Sequence, residues 1–92
     1  MAQKRASEER PFRVDCTGLL REYELIVKVL SVSANGLTTG AAQTRTGTDL
    51  EVILGGGSVP SNLPSKDFNV LVTAQTTQGT LAAGFGVRVY KV

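Results

Sequence analysis

The chain has 92 residues, 41% of them hydrophobic, with ten basic and eight acidic side chains and a net charge of +2. That length supports one domain, and a chain of this size buries only about 60–65% of its unfolded surface. It has no His, no Trp and a single Cys, which excludes His-dependent nucleophile chemistry, His metal sites and an intrachain disulfide.

Acids and bases are interspersed, so the near-neutral balance permits a nucleic-acid partner without requiring one. A lone Cys16 in an alternating apolar segment reads as a small core residue in a reducing setting. The basic start, with Lys4 and Arg5, is not followed by an apolar run. That pattern is not a secretory signal, and no apolar stretch approaches a membrane span. The expectations are a cytoplasmic or virion protein, not secreted by a signal peptide and without a membrane partner.

Residues 1–11 are polar. Lys4 and Glu8, like Arg5 and Glu9, stand four apart and favour a helical turn, but so short a helix is marginal alone and Pro11 ends it. The segment is expected to be a mobile N-terminal arm. Its Lys4, Arg5, Glu8, Glu9 and Arg10 would order on a neighbouring subunit. Residues 12–92 are then a single all-β domain. Phe12, Val14 and Cys16 alternate with polar residues as a candidate first strand, broken by Gly18.

From Tyr23 onward, Tyr23, Leu25, Val27 and Val29 share one face and Glu24, Ile26, Lys28 and Leu30 the other. Asn35 and Gly36 predict a type I′ hairpin turn, because both tolerate positive φ. Pairing across it sets Ser33 against Thr38 and Val29 against Ala42. A loop at 46–48 predicts a second return, with Ala42 opposite Val52, Gly40 opposite Leu54, and Arg45 closing on Asp49 as an ion pair. Residues 23–54 thus read as a three-stranded meander. Its middle strand, 38–45, has no large apolar residue, which suits close approach of another layer.

Gly55, Gly56, Gly57 and Ser58 end the third strand. They superficially match a phosphate-cradling loop, but Pro60 and Pro64 follow, with no Lys-Ser or Lys-Thr and no helical period. They read as a turn. The C-terminal segment is the clearest signal. Folding 68–77 onto 80–92 across Gln78 and Gly79 sets Phe68 against Val89, Val70 against Val87, Val72 against Phe85 and Ala74 against Ala83. A slip of one residue would put every one of these side chains on the wrong face. The other face carries Arg88, Tyr90 and Lys91, with Asp67 opposite Tyr90 and Asn69 opposite Arg88.

The fold class expected is all-β: a small antiparallel barrel or sandwich of five or six strands, built from the meander and the C-terminal hairpin. Uncharged strands rich in Thr, Ala and Gly lack the charges that block edge pairing. Together with the arm they point to a non-enzymatic structural or interaction subunit. Such a subunit would self-assemble into a homo-oligomer through sheet edges, as in a viral or phage shell or tail. The alternative is an OB-like barrel that binds single-stranded nucleic acid through Lys28, Arg45, Arg88, Tyr90 and Lys91. No catalytic residues, metal, cofactor or small-molecule substrate are expected.

Overall fold

Period-2 alternation builds this protein. In the computed structural model, which describes residues 2–91, seven strands form in chain order. They are β1 (Ala2–Arg5), β2 (Arg10–Asp15), β3 (Ile26–Ala34), β4 (Leu37–Gln43), β5 (Asp49–Gly56), β6 (Ser65–Thr76) and β7 (Gly79–Tyr90), with one 3-10 turn at Thr17–Leu19. One sheet has the order β1-β7-β6-β3 and the other β2-β5-β4. The chain is therefore all-β, as its sequence implies, and among the described residues there is no closed barrel.

The core lies where the two sheets meet. Phe68, Val70, Val72 and Ala74 of β6 and Ala83, Val87 and Val89 of β7 are buried from the first sheet. Leu50, Val52 and Leu54 of β5 join the same cluster from the second. Each such Val, Leu or Phe side chain stabilises by about 1.5–3 kcal/mol when fully buried. Phe12 of β2 and Phe85 of β7 link the sheets, with ring centroids 6.4 Å apart at 36°. Cys16 is fully buried in this cluster.

The C-terminal hairpin forms with its expected faces but in a different register. Phe68 pairs with Val87, Val70 with Phe85, Val72 with Ala83 and Ala74 with Leu81. The reversal falls at Thr77 and Gln78 rather than at Gln78 and Gly79. Each residue thus meets a partner two positions earlier than expected. A two-residue offset preserves the faces, because side chains alternate with period two. The turn is fixed from outside the hairpin: Thr77 N–H donates to Leu25 O at 2.9 Å, Leu25 N–H to Thr77 Oγ1 at 3.1 Å, and Gln78 Nε2 to Glu22 O at 3.0 Å.

The expected meander does not form. A turn does occur at Asn35 and Gly36, but it carries the chain from one sheet to the other: β3 pairs with β6, and β4 with β5. Only Gly36, at φ +91°, takes a positive φ there, so the turn is not type I′. Residues 23–25 precede the strand, with Tyr23 in the left-handed region at φ 62°. Breaks in β3 between Ile26 and Lys28 and between Val29 and Ser31 reset its alternation. Ile26 is buried and Val29 and Val32 are partly so, while Val27 and Leu30 are exposed. Between β4 and β5, Ala42 does face Val52, but a break after Thr39 sets Thr39, not Gly40, against Leu54.

Nor is the N-terminal segment a mobile arm. Residues 2–5 add to the first sheet as a parallel strand on β7, with Ala2 opposite Val87 and Arg5 opposite Tyr90. Lys4, on the inward side of that strand, is only 2% exposed. Its Nζ donates to Arg5 O at 2.7 Å and to Gly56 O at 2.6 Å, tying β1 to the end of β5 and so to the opposite sheet. Burial pushes its pKa down, with Glu8 acting in the other direction. Carbonyl oxygens replace part of the lost hydration, which a buried ammonium requires.

Candidate functional site

The parallel pairing of β1 with β7 builds a concave end to the first sheet. Strand alternation sets Gln3 and Arg5 beside Arg88 and Tyr90, while Asp67 and Ser65 flank the same two residues from β6. The connection at 6–9 then brings Arg10 in as the first residue of β2. Gln3, Lys4, Arg5, Glu8, Arg10, Tyr90 and Lys91 line a hollow of about 490 Å³. Glu8 is engaged within it, accepting from the Arg5 backbone N–H at 2.7 Å. Arg10 Nη1 reaches Gln3 O at 3.5 Å, and Lys91 Nζ donates to Ser61 O.

Three of the five residues proposed for nucleic-acid contact, Arg88, Tyr90 and Lys91, lie together at this end. Arg88 is neutralised there. Its Nε and Nη2 meet the two Asp67 oxygens at 2.8 and 3.3 Å, which raises the guanidinium pKa and lowers that of Asp67. Lys28 and Arg45 lie elsewhere. Lys28 pairs with Gln75, ten residues along β6 from the Ser65 that faces Tyr90, a separation of roughly 30 Å along a strand. Arg45 sits in the loop before β5, its Nε 3.9 Å from Glu51 Oε1. The five do not form one groove.

The loop at 44–48 folds around Asp49, which is 7% exposed. Asp49 Oδ1 accepts from Arg45 N–H at 2.9 Å, Thr46 N–H at 3.0 Å, Thr46 Oγ1 at 3.1 Å and Thr44 Oγ1 at 3.3 Å. These donors hold its pKa down at about 2, the Thr46 and Arg45 amides foremost. The expected closing ion pair with Arg45 is replaced by that backbone bond; the cation beside Asp49 is Arg13, at 3.5 Å. Glu51 accepts from Gln43 Nε2 at 3.1 Å and from Arg13 Nη2 at 3.3 Å. All of these contacts brace the fold, and none leaves a carboxylate pair aimed at a cavity.

No protein-family model, curated protein or solved structure matches this chain.

The sheet edges are the second feature with functional content, and they differ. β2 carries Arg10, Pro11, Arg13 and Asp15. β1 is four residues long and includes Lys4 and Arg5. β3 contains Lys28 and two register breaks. Charge, Pro, shortness and bulges all discourage strand addition. β4, Leu-Thr-Thr-Gly-Ala-Ala-Gln, has neither charge nor Pro, one break, and residues 38–41 exposed. Among the described residues no strand pairs with its outer side.

Arg5 and Arg10 join Tyr90 and Lys91 only through the β1–β7 pairing, which links the two ends of the chain. No local pattern signals that contact. The charge alternation at residues 4–10 was the one clue, and it reads equally as a solvated arm.

Proposed function

We propose that this protein is a non-enzymatic structural subunit, a small two-sheet sandwich that self-associates through the exposed edge of β4. The comparative openness of that edge carries the reading: the other three free edges bear charges, a Pro, short length or two breaks, whereas the seven-residue, uncharged β4 bears one break, between Thr39 and Ala42. Its backbone groups are a template for another strand. Two copies of β4 paired antiparallel oppose no like charges, because the strand carries none. A homo-oligomer in the cytoplasm or in a virion-type shell or tail fits such an edge. The arm gives this reading no support, because residues 2–5 are already paired within their own chain.

Light scattering after size-exclusion chromatography, across a concentration series, tests it. The wild-type chain is expected to form a discrete oligomer that Ala41→Lys reduces to monomer with an unchanged far-ultraviolet circular dichroism spectrum. A wild-type monomer at the highest concentration overturns the reading. The nucleic-acid alternative through Lys28, Arg45, Arg88, Tyr90 and Lys91 lacks the convergence a stacking groove needs.

A further inference from the structure

We propose that the hollow between β1, the 6–9 connection and the end of β7 binds a phosphate-type oxyanion, free or esterified. Among the residues lining the hollow are the basic Arg5, Arg10 and Lys91, the inward-turned Lys4, and one acidic residue, Glu8. Glu8 already serves the Arg5 backbone amide. Among the described residues no carboxylate lies within 4.0 Å of any of these four cations, whereas Arg45 and Arg88 each have one and Arg13 has two. The cations of this site therefore form no ion pair among the residues described, and Glu8, which acts on Lys4, offsets only part of their charge.

Three further observations point the same way. The cations come from opposite ends of the sequence and are brought together by a parallel strand pairing, with Arg5 beside Tyr90. Cations of one sign gathered in one hollow raise the local anion concentration. Beneath them, Lys4 is withdrawn from water and solvated only by carbonyl oxygens. A buried ammonium with no ion-pair partner is costly; Glu8 acts on it without pairing, and an anion in the hollow adds to that support. Finally, the chemistry matches. Two guanidinium groups offer planar forks suited to paired phosphate oxygens, Lys91 adds a point charge, and Tyr90 adds a hydroxyl donor. At about 490 Å³ the hollow has room for the ester substituent as well as the oxyanion.

This site is independent of β4, so it is testable in a monomer or an oligomer. Equilibrium dialysis against radiolabelled inorganic phosphate, with sodium chloride at matched ionic strength as competitor, reads it directly. Saturation at one phosphate per chain is expected. Arg5 and Arg10 are exposed, so Arg5→Gln/Arg10→Gln should fold normally and bind roughly tenfold or more weakly. Arg45→Gln should bind as wild type. A parallel arm with a short labelled oligothymidylate identifies the source. Tighter binding than phosphate, weakened by the same double substitution, assigns a nucleic-acid phosphodiester; binding no tighter assigns free phosphate. Failure of both probes to saturate, or equal binding by wild type and the double variant, overturns the proposal.

Discussion

Phe68 fills the space that a side chain at Gly36 would need: a Cβ there would lie 2.6 Å from Phe68 Cε1. Gly36 also holds φ +91°, where L residues are disfavoured by about 1–2 kcal/mol. The turn that takes the chain from one sheet to the other is thus locked to the core through one aromatic ring. Gly36→Ala should destabilise by about 2–4 kcal/mol, from backbone strain plus overpacking. Urea unfolding measures it; a loss of only about 1–2 kcal/mol would show that the ring moves aside and the backbone strain alone remains.

Asp49 predicts the acid limb of stability. Its folded pKa of about 2 lies below the ordinary value of 3.8. A depressed carboxylate contributes stability that is present above pH 3.8 and is lost as pH falls through about 2. Asp15, Glu24, Glu51 and Asp67 are shifted in the same direction, so stability should fall steadily through the same acid region. Asp49→Asn should lower stability at neutral pH by about 1–3 kcal/mol and flatten the decline across that window. Thermal melts from pH 6 to pH 2 would check both; an equal slope in the variant would contradict the linkage.

Lys4 predicts that the first strand supports the fold. Lys4→Ala leaves Arg5 O and Gly56 O without their side-chain donor, at a cost of about 1–3 kcal/mol. Hydrogen exchange of the Ala6 amide, which donates to Tyr90 O at 2.9 Å, should accelerate in the variant. Unchanged protection there would mean β1 is held by its backbone ladder alone.

Cys16 is the chain's one thiol, fully buried, with its pKa pushed up by burial. Both effects suppress thiolate chemistry. Its reaction with a chromogenic disulfide reagent should be slow in the native protein and complete within the dead time in denaturant. A fast native reaction would show that the segment at Cys16–Leu20 opens locally.

The sequence made the inner and outer faces of β6 and β7 legible, because a period of two survives any even error in register. It did not disclose the register itself. Thr77 is pinned by Leu25, and Gln78 by Glu22, more than fifty residues away, whereas turn propensity favoured the glycine next door. The Asn35 and Gly36 signal located a reversal correctly but not the partners of the strands around it. Those were settled by burial of Ile26, Val29 and Val32 against β6. The basic hollow was half visible, in Tyr90 and Lys91; its other half lay in residues 3–10, whose polarity concealed a strand with a lysine turned inward.

The pairing of Ala2–Arg5 with β7 also sets an order of events. The paired residues, Ala2 with Val87 through Arg5 with Tyr90, stand more than eighty positions apart, so no local step brings them together. Until β7 is in place the inner side of β1, with its buried Lys4, has no sheet to join. Completion of this sheet therefore rests on one of the most distant contacts in the fold, which makes it slow to form.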